Sequence, residues 1–509
     1  MKKYLLLLLV AISFVSCSKK VEVTGKISGG SPLERIEFIE GSGVATLPLI
    51  NIGLDKDGKF SGNFDAPKNG IYVISFGGKQ NLIYLKGGEK VNISGNAADF
   101  PMEFVVTGDA KGNNDFLKQT QRFLQSYAQK FNMQEMVTKK ETDFLKDIQK
   151  IDNDLTKNIE EVAKNTKADN DAIKWKKNDL ASTLLNVMAQ YKMNYGKLTN
   201  NPSFKVSKAF TDYENKLQPN KDELLQQSPS YRNYLLSTMG EDYMKFSATK
   251  MKANPDAITS EVFADFLNSK KDISQLEKDY LLAYVIAQSD ISPSATPEIA
   301  KKVSTIVDKN IKDATVKADI QHLIFVINGL KEGDIVPDVA LEKADGKSFK
   351  FSELKGKPTF VMFYASWNPY IAQSTVSVLR DVEKHYAGKI NFVFVNLDDT
   401  KEQFAKTSKS LLNGIAGTNV YADKGMNSQA AEKFGIYGFK LPSFLIINKD
   451  GKIASKPIYN LGEPEFVTIM TKETGVSAPV APQAELKVGP DAMKVPNPTP
   501  ETEQSKTSK

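Results

Sequence analysis

One cysteine in 509 residues, Cys17, removes several classes of function at once. No internal disulfide, Cys-x-x-Cys redox pair or cysteine-rich zinc cluster can be built from it. Histidine is almost as scarce. His322 and His385 alone leave little for a histidine metal site or a Ser–His–Asp hydrolase. Only Arg35, Arg122, Arg232 and Arg380 are arginine among 67 basic residues, and the formal net charge is just +6. Arginine is the usual bidentate reader of guanine and phosphate, so these numbers argue against a nucleic-acid partner. Beyond the first twenty residues no apolar run is long enough to cross a bilayer. What is present, 41% hydrophobic and 25% charged residues, is globular material, with length for roughly three domains.

Lys2 and Lys3 precede an apolar stretch, Tyr4 to Val15, too short to span a membrane comfortably and read as a secretory leader over 1–16. Phe14-Val15-Ser16-Cys17 resembles the lipobox of bacterial lipoproteins, with Phe14 larger than the usual leucine. That resemblance implies acylation of Cys17 and a lipid anchor, hence a protein attached to the membrane but not embedded in it. The other reading is an ordinary leader with an incidental cysteine. Ser18, Lys19 and Lys20 lack the acidic cluster of surface-exported lipoproteins. The expected location is therefore a Gram-negative envelope, on the periplasmic face of the outer membrane, with surface exposure as the alternative.

Residues 17–110 read as a β-rich sandwich or barrel. Arg35 to Glu40 alternates polar with apolar for most of its length, and Asp57-Gly58 and Gly77-Gly78 supply turn chemistry. Asp55 and Asp57 fail the EF-hand pattern beyond two positions and fit a hairpin turn better. The region resembles a β-rich domain of unknown role found ahead of thioredoxin-like domains in some Gram-negative lipoproteins. Residues 111–330 turn helical, with Phe116, Gln119, Phe123 and Tyr127, and then Leu180, Leu184, Met188 and Tyr191, at helical spacing. Trp175, among lysines, serves either a binding face or one side of this bundle. Residues 331–475 alternate β and α, with buried-strand runs at 359–365 and 390–397 and a helix over 368–386 between them. The tail, 476–509, is rich in proline and polar residues and is expected to be disordered.

The third region carries a family resemblance. Val336-Pro337-Asp338 and Asp345-Gly346-Lys347 look like an opening strand and hairpin. Phe360 to Trp367 looks like the central strand, Gly438 to Ile447 like a cis-proline segment and Asn448 to Ile453 like a closing hairpin. Together they resemble the TlpA/ResA branch of thioredoxin-like proteins over roughly 140 residues, as the motif lengths suggest. The family has Trp-Cys-x-x-Cys where this chain has Trp367-Asn368-Pro369-Tyr370-Ile371. Thiol–disulfide exchange needs a thiolate, and neither Asn368 nor Ile371 provides one. No catalytic residue, metal ligand or cofactor is therefore assigned. Asn368 and Pro369 are suited to the N-cap and first position of the following helix.

The resemblance also implies a groove for an extended peptide beside the motif, here lined by Trp367, Tyr370, Leu441 and Pro442. Retention of Trp367 and Pro442 for packing and turn geometry alone is the even alternative. His385 suits a helix C-terminus, and His322 suits a core or interface position. The expected function is a binding or scaffold subunit for another envelope protein or a peptide. The competing expectation is an accessory that presents substrates to a separate thiol–disulfide oxidoreductase. A third, nutrient capture, is disfavoured by two tryptophans in the whole chain.

Overall fold

The computed structural model describes residues 20–477 apart from 45, 46, 131, 293, 294 and 372. The leader, Cys17 and all but two residues of the proline-rich tail lie outside the described residues.

The chain opens with β1 (Lys20–Ser28), β2 (Arg35–Glu40), β3 (Pro48–Gly53), β4 (Lys59–Asp65), β5 (Gly70–Phe76), β6 (Lys79–Leu85), β7 (Lys90–Asn96) and β8 (Phe104–Gly108). They form two four-stranded sheets, ordered β4-β1-β7-β8 and β3-β2-β5-β6. The β1–β7 ladder is parallel. Period-two patterning decides which side chains go inward. Val21, Val23 and Ile27 of β1 face Ile36 and Phe38 of β2 across one apolar core. Between β3 and β4 the Asp55 carboxylate accepts bonds from the Asp57 and Lys59 amides, each 2.8 Å, and Gly58 takes φ +73°. That is a hairpin turn made from the Asp-Gly pair.

The middle region holds α1 (Lys111–Ala128), α2 (Met133–Met136), α3 (Glu141–Thr166), α4 (Asn170–Leu198), α5 (Lys208–Lys216), α6 (Lys221–Gln227), α7 (Pro229–Ala253), α8 (Thr259–Ser269), α9 (Gln275–Ser289), α10 (Pro297–Asn310) and α11 (Ala314–Asn328). Local chemistry sets several starts. Ser274 and Glu277 close a reciprocal capping box at α9, and prolines open α7 and α10, where a missing N–H costs nothing. One continuous core runs through these helices and reaches Val44, Ile71 and Tyr84 of the β-sandwich.

The last region contains β9 (Leu341–Lys343), β10 (Ser348–Phe349), β11 (Thr359–Tyr364), α12 (Gln373–Tyr386), β12 (Asn391–Asn396), α13 (Lys401–Ser410), β13 (Thr418–Tyr421), α14 (Gln429–Phe434), β14 (Ser443–Ile447) and α15 (Pro464–Thr474). The sheet order is β10-β9-β13-β12-β11-β14, with β11, β12 and β13 parallel and β14 antiparallel to β11. β11 is buried along its whole length because apolar layers cover both faces of the sheet. The chain is thus multidomain: a β-sandwich, a helical middle and a thioredoxin-like α/β domain.

Two local expectations need correction. Val336-Pro337-Asp338 is not a strand. The first strand starts at Leu341, and Asp338 instead accepts bonds from the Ser352 amide (3.1 Å) and hydroxyl (2.7 Å). The helix expected from Asn368 begins at Gln373, because residues 368–371 form a turn that bonds elsewhere, as described below. Among the described residues, no helix is long and apolar enough to cross a membrane.

Candidate functional site

β11, paired between β12 and β14, runs out into Ala365-Ser366-Trp367, so the loop that would carry redox thiols leaves the sheet at the C-terminal end of that strand. Asp398, fully buried just past β12, holds that loop. Its carboxylate accepts from the Ser366 amide at 2.6 Å, the Asn396 side chain at 2.9 Å and the Thr407 hydroxyl at 3.0 Å. A carboxylate with three donors is satisfied in place, as a buried charge must be.

Asn368 stands in the first thiol position and is 5% exposed. Its carbonyl oxygen accepts from the Tyr370 amide at 2.9 Å, and its amide donates to the Gly438 carbonyl at 3.3 Å. The Asn368 side chain is therefore committed to its own turn and to the cis-proline segment, which is why it does not cap α12. Ile371, in the second thiol position, is 8% exposed and packs in the apolar layer with Val376, Leu379 and Phe444. Neither position presents a nucleophile. Asn368→Ala removes both bonds and is expected to lower stability by about 1–2 kcal/mol. Urea denaturation monitors the loss, and an unchanged midpoint would show the two bonds to be dispensable.

The Leu441–Pro442 peptide is cis, at the place the family resemblance puts it. The expected groove is nevertheless covered. Trp367, Leu441 and Pro442 are buried, and of the four expected lining residues only Tyr370, 71% exposed, faces solvent. The β-sandwich covers Trp367, whereas Leu441 packs into the domain's own apolar core. β2 and β3 point Arg35, Glu37 and Asn51 outward, away from their own core, and these residues meet the thioredoxin-like domain.

The Arg35 guanidinium lies over the Trp367 ring, 4.4 Å from its centroid. It grips the Asp399 carboxylate through both terminal nitrogens, at 2.5 and 2.8 Å. Its Nε donates to the Asn51 side chain at 2.6 Å. The Asn51 backbone exchanges two bonds with the Asn427 side chain, at 3.1 and 2.9 Å. Gly53 leaves room for this clamp, since a Cβ there would overlap both the guanidinium and the Asp399 carboxylate. Burial raises the Glu37 carboxyl above its usual range, and Asn51 and Arg35 oppose that.

On the opposite flank, Lys440 is 5% exposed and donates its ammonium to the Val326 and Ile327 carbonyls at the C-terminus of α11. Nothing in the sequence around Lys440 marks it, because its partners are carbonyls more than a hundred positions away. Burial brings Lys440 down to about 8. His322 lies at the same interface, its Nε2 3.2 Å from the Tyr437 hydroxyl, and His385 meets the Ser477 carbonyl at 2.8 Å. Trp175 is half-buried on α4. Among the described residues no three His, Cys, Asp or Glu side chains are grouped to hold a metal ion.

The AhpC/TSA family matches residues 333–456. Those residues form an AhpC/TSA-type thioredoxin-like domain resembling the TlpA/ResA-type thiol–disulfide oxidoreductases. The chain is 24% identical over 207 residues to the chloroplast thioredoxin-like protein HCF164 of Arabidopsis thaliana, covering 41% of this chain and 66% of that one. It is 26% identical over 126 residues to the thiol–disulfide oxidoreductase ResA of Bacillus subtilis, 24% of this chain and 65% of that protein. The chain thus spans about two thirds of the length of these relatives. Among solved structures it is similar to a thiol–disulfide oxidoreductase from Bacteroides fragilis, 22% identical over 28% of this chain and 98% of that chain, with a TM-score of 0.24.

Proposed function

We propose that this chain is a lipid-anchored envelope protein whose thioredoxin-like domain has given up thiol chemistry and serves as a binding and scaffold module. The observation that carries this reading is the fate of the two thiol positions. Asn368 is spent on hydrogen bonds, Ile371 is spent on packing, and Trp367 beside them is covered by Arg35 of the chain's own β-sandwich. A domain that uses this edge to hold a neighbour is acting as an assembly surface.

Anchoring rests on Cys17 behind its apolar leader. Several acyl chains, at about 0.8 kcal/mol per buried CH₂, would hold the protein at the outer membrane on its periplasmic face. The partner is another envelope protein or a peptide, and Tyr370 is the aromatic side chain left outside to meet it. The resemblance to ResA supports a second reading, an accessory that presents substrates to a separate oxidoreductase.

The test places a photo-crosslinker at position 370 of the full-length chain in gently solubilised membranes, with Cys17→Ser as the control that should move to the soluble fraction. A stoichiometric envelope protein crosslinked at 370 is the expected result. If that protein is a thiol–disulfide oxidoreductase, the second reading replaces the first. A partner that co-purifies without a crosslink moves binding to the helical or β region. Insulin reduction by the purified chain should run at the buffer rate, and turnover above it would sink the binding reading.

A further inference from the structure

The helical region contains a cavity of about 150 Å³ where α1, α3 and α4 meet. Its floor is Ile148, Leu155, Ile159, Leu180 and Leu184, all buried, and half-buried Leu124, Ile151 and Val187 stand at its mouth. The cavity has a local cause. The apolar stripes of α3 and α4 continue at helical spacing, but α1 offers Thr120 and Ala128 where larger side chains would fill the gap. The Tyr127 hydroxyl is drawn to Asp154 at 2.5 Å, and its ring forms a wall of the cavity.

Protein interiors are close-packed, with few voids larger than a water molecule. Here the lining side chains lack contact atoms on one side and forgo the dispersion energy those atoms would supply. Water is a poor occupant of the floor, because it needs two to four polar partners and the floor is isoleucine and leucine. The Thr120 hydroxyl donates to its own helix, to the Phe116 and Leu117 carbonyls. Beside the cavity Lys176, only 6% exposed, is paired with partly exposed Asp179 at 2.9 Å, so that pair adds no net charge. An apolar space of this volume accommodates a group of about six carbons, the size of benzene. The neutral rim, with Asn158 beside the ion pair, suits a polar end that stays in water.

We propose that this cavity binds the hydrocarbon tail of a single-chain amphiphile, with the terminal carbons inside and the head group at the rim. The site is independent of the thioredoxin-like groove and of the function proposed for it.

Isothermal titration of the Cys17→Ser chain, which carries no acyl chains, in detergent-free buffer with 1-decanol, and separately with decanoate, tests the proposal. One saturable site per chain is expected, with the two affinities within about threefold because the rim pair is neutral. Leu155→Trp fills the floor and Val187→Trp plugs the mouth. Each is expected to weaken decanol binding at least about tenfold while leaving the helical circular dichroism intact. If Leu155→Trp fails to fold, Val187→Trp decides alone. Absence of saturable binding by the parent chain overturns the proposal, as does a folded Val187→Trp that binds as the parent does. Binding of decanoate but not decanol also overturns it, in favour of a charge site at Lys176.

Discussion

Replacing Arg35 with alanine should lower stability by about 3 kcal/mol and undock the β-sandwich from the thioredoxin-like domain. Three sets of interactions vanish together: the two-pronged grip on Asp399, the stacking over Trp367 and the two bonds to Asn51. The Arg35 side chain is only 9% exposed and that of Asp399 29%, so the pair is shielded far better than an exposed ion pair, for which less than 1 kcal/mol is typical. Asp399 is also left beside a surface that no longer offers a cation. Arg35→Lys is expected to recover only part of the loss, since an ammonium keeps the charge but not the planar fork. The chain has two tryptophans, so a Trp175→Phe background isolates Trp367 as a reporter. Undocking should shift its emission to the red and open it to acrylamide. An Arg35→Ala protein with unchanged Trp367 emission and a denaturation midpoint within experimental error of the parent would remove Arg35 from this role.

Lys440 should make stability rise with pH in a range where most proteins are past their optimum. Its folded-state value of about 8 lies below the ordinary lysine value of 10.5. Between those limits the unfolded chain holds the proton and the folded chain does not, so stability climbs as pH rises. Below pH 8 both states are protonated and the contribution is flat. Tyrosines begin to ionise in the unfolded chain near pH 10, and burial raises many of them in the folded state, Tyr72 and Tyr280 to about 12, which works in the opposite direction. The informative window is therefore pH 8 to 9.5, where Lys440 should contribute about 2 kcal/mol. Lys440→Met should flatten the profile there. A slope that persists in Lys440→Met would assign it to another group, and a flat parent profile would show that the Val326 and Ile327 carbonyls hold Lys440 at an ordinary value.

Arg35 also shows where sequence reasoning stops. The alternation in Arg35 to Glu40 marks a strand with Ile36 and Phe38 inside, and the structure has that strand. The same pattern makes Arg35 and Glu37 look like ordinary solvent-facing residues, because Asp399 lies 364 positions away and no local signal connects the two. Trp367 and Pro442 were legible as parts of a thioredoxin-like scaffold, with packing and a peptide groove as even alternatives; the Arg35 side chain over Trp367 was not, since it belongs to another domain. Asn368-Pro369 has the local chemistry of a helix start. A bond from Asn368 to the Gly438 carbonyl, 70 positions on, redirects it, and long-range bonds of that kind carry no propensity signature. The Asp57-Gly58 turn was readable for the opposite reason: the Asp55 carboxylate bonds that shape it are made within four residues.

The placement of β1 has a mechanical consequence. It is an inner strand, zipped to β4 along seven residue pairs and to β7 along seven more. Its ladder bonds run across the strand direction. Tension applied at Lys20 along the strand axis therefore loads both ladders in shear, sharing the force among all the bonds at once. Tension applied across the sheet would break them one at a time. The direction of pull at its N-terminal end decides whether this domain behaves as a rivet or as a zipper.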